Sequence, residues 1–166
     1  MDTSKIKLII WDLDDTFWHG TLTEGGIAAN EGHIKLVKDL TDRGIVNSIC
    51  SKNDKEPVMA ELSRLGVADL FVFSSVDWTP KGPRISAMLK DMGLRAVNVL
   101  FLDDNIVNLN EAIHYEPNLM TETPDAIPQL IEWIKTIPVS DATHKRLNNY
   151  KVLEQKQNSR NAYSDN

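Results

Sequence analysis

Asp12 and Asp14 stand two residues apart in the run Asp12-Leu13-Asp14-Asp15-Thr16, directly after the apolar stretch from Ile6 to Trp11. On an extended chain, residues at that spacing point to the same side, so both carboxylates can face one site. Two carboxylates held close together cannot both remain unpaired anions. Either one takes a proton or a cation lies between them, and a divalent metal lets both stay ionised. An ionised aspartate is a competent nucleophile toward phosphorus, and its neighbour can protonate a leaving oxygen and then activate water. The plainer reading of the same run is an acidic turn that caps the next element.

Three further sets of residues follow apolar runs of strand length. Cys50-Ser51-Lys52-Asn53 offers a hydroxyl, a cation and backbone N–H groups where a strand gives way to a helix, a natural cradle for phosphate oxygens. Trp78-Thr79-Pro80-Lys81-Gly82 places Lys81 in a rigid loop before a helix, where a cation offsets phosphate and carboxylate charge. Leu102-Asp103-Asp104-Asn105 ends the run from Val97 to Leu102 with two acids, which are costly at the end of a buried strand unless they bind something. With hard oxygen ligands and no His/Cys cluster, the cation to expect is Mg²⁺.

The elements that carry these residues alternate. Strands are expected over Ile6–Trp11, Ile45–Cys50, Leu70–Phe73 and Val97–Leu102, with a short fifth at Leu119-Met120. Helices are expected over Glu31–Arg43, from the Asp54 cap to Leu65, and over Ile85–Met92, Asn105–His114 and Ala126–Ile134. The glycine-rich stretch containing Gly20, Gly25 and Gly26 reads as a loop or small hairpin. This alternation predicts an α/β fold, a parallel sheet with helices on both faces. In such sheets chemistry sits beyond the carboxyl ends of the strands, where all four sets fall. After Pro138 the chain is polar, with one thin apolar stripe of Leu147, Tyr150 and Leu153; a C-terminal helix is expected there, frayed from Asn158 to Asn166.

The 166 residues suit one domain, and the net charge of -6 argues against a general nucleic-acid binder. No apolar run is long enough to span a bilayer, and the N-terminus does not read as a signal peptide, so no membrane partner is expected. The lone cysteine, Cys50, excludes an internal disulfide and suits a reducing, cytoplasmic setting.

Asp-x-Asp-x-Thr after the first strand, then Ser51, Lys81 and Asp103-Asp104 after later ones, resembles the haloacid dehalogenase (HAD) superfamily of phosphotransferases over about residues 6 to 115. The resemblance implies a three-layer Rossmann-like fold and a phospho-aspartyl intermediate. It gives Asp12 the role of nucleophile and Asp14 that of general acid/base. Mg²⁺ would be held by Asp12, the Asp14 carbonyl and Asp104, with Asp103 bonding Lys81 or a metal-bound water. Thr16, Ser51, Lys52 and Asn53 would hold the phosphoryl group, and Lys81 would stabilise its charge. Many relatives carry a further acid where this chain has Asn108.

The intervals in which relatives insert a cap domain hold little here beyond core elements. The expectation is a capless catalytic core over residues 1–138 with a flap at about 17–28, followed by the C-terminal segment 139–166. Trp18, His19 and Trp78 would lie near the mouth. Trp18-His19-Gly20, Cys50-Ser51-Lys52-Asn53-Asp54, Trp78-Thr79-Pro80-Lys81 and Phe101-Leu102-Asp103-Asp104-Asn105 look like the FkbH-like branch, subfamily IIIC. That resemblance implies a phosphatase acting on a phosphorylated small molecule or carrier-bound substrate. The alternative it implies is movement of an acyl unit from an acyl phosphate to a carrier protein; the Cys50 thiol, beside Ser51, would then be the candidate acceptor. An open site also suits a homo-oligomer that supplies the missing lid.

Overall fold

The first strand, β1 (Leu8–Trp11), is apolar at every position and buried at every position, which places it mid-sheet with both faces covered. In the computed structural model, which describes residues 1–164, β4 (Val46–Lys52) and β6 (Val99–Leu102) flank it in parallel. Leu8 lies opposite Val46 and Val99, and Trp11 lies opposite Ile49 and Leu102. Short edge strands β5 (Ser75–Asp77) and β7 (Met120–Glu122) complete the order β5-β4-β1-β6-β7, parallel throughout.

Alternation along the strands divides the core in two. Ile9, Trp11, Ile49, Leu100 and Leu102 meet helices α1 (Glu31–Thr41), α2 (Lys55–Arg64) and α5 (Ile127–Ile134) on one face. Leu8, Ile10, Val46, Cys50, Val99 and Phe101 meet α3 (Lys81–Met92) and α4 (Ile106–Tyr115) on the other. The last helix, α6 (Lys145–Ser164), reaches that second cluster through buried Leu147 and partly buried Tyr150.

Between β1 and α1 the chain forms only a two-stranded antiparallel hairpin, β2 (His19–Thr21) with β3 (Gly26–Ala28). Gly20 sits there at φ 86°, and a Cβ at that position would lie 2.9 Å from the Gly26 carbonyl oxygen. Between β4 and β5 lies α2 with a single 3-10 turn, so neither interval contains a cap. Among the described residues no helix is long and apolar enough to cross a membrane.

Three expectations are corrected. Leu70–Phe73 is not a strand: a 3-10 turn occupies Ala68–Leu70, Phe71 makes an isolated bridge to Asn47, and Phe73 turns at φ 52°. Its apolar residues pack the core from a loop, and the edge ladder forms later, at Ser75–Asp77, where the chain is extended again. Lys81 is not in a loop before a helix; it is the first residue of α3, which starts after Pro80. The segment from Asn158 continues α6 to Ser164. Residues 165–166 lie outside the described residues.

Candidate active site

β1 ends at Trp11, and the next side chain, Asp12, is nearly buried at the carboxyl edge of the sheet, its N–H bonded to the Leu102 carbonyl at 2.9 Å. The chain then folds back on one carbonyl, that of Leu13, which accepts from the N–H groups of Thr16, Phe17 and Trp18. Asp15 adopts φ 54° in this turn, and its carboxylate accepts the Gly20 N–H at 2.8 Å. The turn thus leaves Asp12 and Asp14 on one pocket and roots the hairpin beside them. That pocket, about 220 Å³, is lined among others by Asp12, Asp14, Ser51, Lys52, Lys81 and Asp104.

Both oxygens of Asp12 are engaged. Lys81 Nζ donates to Oδ1 at 2.7 Å, and the Thr16 hydroxyl donates to Oδ2 at 2.9 Å. Lys81 also donates to Asp103 Oδ2 at 2.7 Å, so one buried ammonium lies between two buried carboxylates. Asp103 accepts further from the Asn105 N–H at 2.9 Å and from the Asn108 amide at 3.1 Å. Asp104 is different: its N–H bonds the Thr16 hydroxyl at 3.1 Å, and its carboxylate is exposed. An oxygen from each of Asp12, Asp103 and Asp104 lies within 4.8 Å of the others.

Burial pushes the Asp12 carboxyl up to about 7; the Lys81 ammonium pulls the other way, and the Asp103 carboxylate adds to the rise. Burial works against the Lys81 charge as well, but Asp12 and Asp103 outweigh it and hold its pKa above the ordinary lysine value. Lys81 therefore stays a cation at neutral pH.

Asp14 faces the hairpin. Its Oδ1 accepts from the Trp18 indole N–H at 2.9 Å and the Leu22 N–H at 3.1 Å, and its Oδ2 from the Asn53 amide at 3.0 Å. Trp18 is buried, so it packs beneath the hairpin and does not line the mouth. Asn53 turns its amide to Asp14, and Thr16 its hydroxyl to Asp12 and Asp104, so neither lines the pocket; Ser51 and Lys52 do. Trp78 is exposed on the rim, its indole N–H bonded to Asp54 at 2.9 Å. His19 is exposed on β2 and meets Asn30 at 3.3 Å.

Cys50 is corrected from acyl acceptor to core residue. It is fully buried between β4 and α3, and burial pushes its thiol up to about 11, which suppresses the thiolate that acyl capture needs. A larger cleft of about 590 Å³, bordered by Arg43, Lys145, Arg146 and Tyr150, holds none of the clustered carboxylates.

Two further residues position the site: Arg84, which carries no sequence signal, and Gly82, which the sequence marks only as the neighbour of Lys81. Arg84 bonds the carbonyls of Ser51, Ser75, Asp77 and Thr79, tying β4 and β5 to the turn that delivers Lys81. At Gly82 a Cβ would sit 2.5 Å from the Tyr115 ring, and its N–H donates to Glu111 at 2.6 Å. Only a glycine lets α3 start that close to α4.

The sheet order is that of a HAD-like Rossmann fold, without a cap among the described residues, and solved structures share it. The N-terminal part of a Bacteroides fragilis protein, containing a phosphatase domain and complexed with Mg, aligns at TM-score 0.65 and 22% identity over 81% of this chain. This chain spans only 41% of the length of that N-terminal part. The cobalt-bound deoxy-D-mannose-octulosonate 8-phosphate phosphatase from Haemophilus influenzae aligns at TM-score 0.58 and 21% identity, over 73% of this chain and 71% of its own. A HAD-superfamily hydrolase from Ehrlichia chaffeensis aligns at TM-score 0.59 and 13% identity, over 79% and 98%. At these identities the likeness is one of fold. No protein-family model matches the sequence, and no curated protein does.

Proposed function

We propose that this chain is a Mg²⁺-dependent phosphatase of the HAD type, hydrolysing a phosphoester through a phospho-aspartyl intermediate on Asp12. One observation carries the reading: a nearly buried aspartate at the end of the central strand shares a lysine with a second acid, beside a third acid left open. The donors fit a hard divalent cation, since the acidic cluster offers carboxylate oxygens and no histidine or cysteine ligand. Asp12, Asp104 and the Asp14 carbonyl would hold Mg²⁺, with Asp103 engaged by Lys81. When bound, the ion supplies positive charge against the phosphoryl oxygens.

An Asp12 carboxylate oxygen attacks phosphorus, and the bond from phosphorus to the ester oxygen breaks. Asp14 gives that leaving oxygen a proton. In the second half Asp14 takes a proton from water, the water oxygen attacks phosphorus, and inorganic phosphate leaves with Asp12 restored. Lys81 stays charged through both halves and balances the phosphoryl negative charge. Ser51 and Lys52, on the pocket wall, receive phosphoryl oxygens, and Thr16 holds Asp12 against rotation.

The motif pieces around Trp18, Cys50, Trp78 and Asp103 support a finer place in the FkbH-like branch, subfamily IIIC. A phosphorylated small molecule or a carrier-bound phosphoester fits an open, capless mouth. The test is phosphate release from phosphosugars, acyl phosphates and phosphopeptides, with Mg²⁺ and with chelator. Release should require the metal, and Asp12→Asn should lose at least roughly a thousandfold. Undiminished turnover by Asp12→Asn would sink the mechanism.

A further inference from the structure

Asp14 is the group that must act twice in this reaction, and the fold grips it from two sides. From the hairpin side come the Trp18 indole N–H at 2.9 Å and the Leu22 N–H at 3.1 Å, both to Oδ1. From the β4 side comes the Asn53 amide at 3.0 Å, to Oδ2. Neither Trp18 nor Asn53 lines the pocket, and both are only 1% exposed, so water does not compete for their N–H groups.

Each donor is itself fixed. The Trp18 ring stands edge-on to Phe17 at 6.3 Å, and Phe17 stands edge-on to Trp11 and Phe71 at 5.4 and 5.6 Å. The Phe17 carbonyl accepts the His33 Nδ1–H at 2.9 Å, pinning the backbone between them. The Asn53 amide has one possible orientation: its oxygen accepts the Asp54 N–H at 3.2 Å, which turns its NH₂ to Asp14.

We propose that Trp18 and Asn53 are positioning residues that hold the Asp14 carboxylate for proton transfer. The inference rests on the phosphatase reading above. It also names the atom. A carboxylate oxygen has two lone-pair sites. Oδ1 is saturated by Trp18 and Leu22, whereas Oδ2 accepts one bond and keeps a site free. Oδ2 is therefore the oxygen that passes the proton to the leaving group and takes one from water. Without the two side-chain donors the carboxylate rotates, and displacement of a reacting group by about 1 Å is enough to cost roughly a hundredfold.

The test uses Trp18→Phe, which keeps an aromatic ring in the core but removes the indole N–H, and Asn53→Ala. Both are compared with wild type on p-nitrophenyl phosphate, whose leaving group departs without a proton, and on phenyl phosphate, whose leaving group needs one. The variants should lose roughly tenfold more on phenyl phosphate than on p-nitrophenyl phosphate. With p-nitrophenyl phosphate they should also accumulate acid-stable phosphate on the protein, because removal of the phosphoryl group from Asp12 still needs Asp14. Equal loss on both esters with no trapped phosphate would assign the two residues a merely structural role and overturn the inference, as would variants indistinguishable from wild type; the phosphatase reading survives either result. A wild type that hydrolyses neither ester with Mg²⁺, nor any phosphate of the wider panel, overturns that reading and this inference with it.

Discussion

Lys81 lies between Asp12 and Asp103, 2.7 Å from each, and all three side chains are almost entirely out of water. Removing the cation leaves two buried carboxylates with no compensating charge. Lys81→Met should therefore lower stability by about 3–5 kcal/mol, read from urea unfolding of the metal-free protein. The raised Asp12 pKa gives a signed pH dependence. The folded, metal-free chain keeps a proton on Asp12 up to about 7, whereas the free value is 3.8. That contribution is complete below the free value and disappears as pH rises through the folded one. In chelator, the stability of wild type relative to Asp12→Asn should fall across that interval and then level, as unfolding at a series of pH values would show. An unchanging difference would mean that Asp12 is ionised throughout. Over the same interval cation binding should tighten, because the ligand is the carboxylate.

α3 is the element on which the site depends most, since its first residue is Lys81. Its start is set by the Pro80 cap, by the Arg84 bonds to Ser51, Ser75, Asp77 and Thr79, and by the approach of Gly82 to Tyr115. Gly82→Ala should push that helix end away from α4, costing about 1–3 kcal/mol and lowering kcat. Tyr115→Ala in the same chain should recover most of both, because the ring makes the two nearest contacts to the new methyl group, with Glu111 Oε1 at 3.0 Å the next. If the double variant is no better than Gly82→Ala, the close approach is not what places Lys81. The mistaken strand at Leu70–Phe73 belongs to this scale too. Apolar β-formers report burial as well as extension, and Phe71 and Val72 are buried in a loop.

Across the whole molecule, carboxylates from two separate turns share a site that exists only when the chain is folded: Asp12 follows β1, and Asp103 and Asp104 follow β6. A cation that binds there stabilises the folded state by mass action, by about 2.7 kcal/mol at a hundred times its dissociation constant. The melting temperature should accordingly rise with Mg²⁺ and fall back with chelator. Asp104→Asn should abolish most of that rise while leaving the metal-free melting temperature close to wild type, since its carboxylate is exposed. A full rise in Asp104→Asn would move the cation to other ligands. The open mouth is also a property of the whole: among the described residues the β2–β3 hairpin stands beside the site, and neither the interval with the hairpin nor that with α2 holds an inserted domain.

Much of this was legible in the sequence. Four polar sets, each beyond a strand-length apolar run, were enough to place Asp12, Asp14, Ser51, Lys81 and the Asp103-Asp104 pair at one edge of a parallel sheet, because alternation of strands and helices leaves little other topology. What the side chains do to one another was not legible. Cys50 and Ser51 are neighbours in sequence, yet strand alternation sends one into the core and the other to the pocket. Asn53 and Trp18 read as a phosphate donor and a mouth residue, and both turn instead to Asp14. Spacing along the chain determines which strand end a residue reaches. Which partner it finds there depends on contacts between residues as distant as Asp14 and Asn53, or Gly82 and Tyr115, and only the packed tertiary structure brings those within a few ångströms.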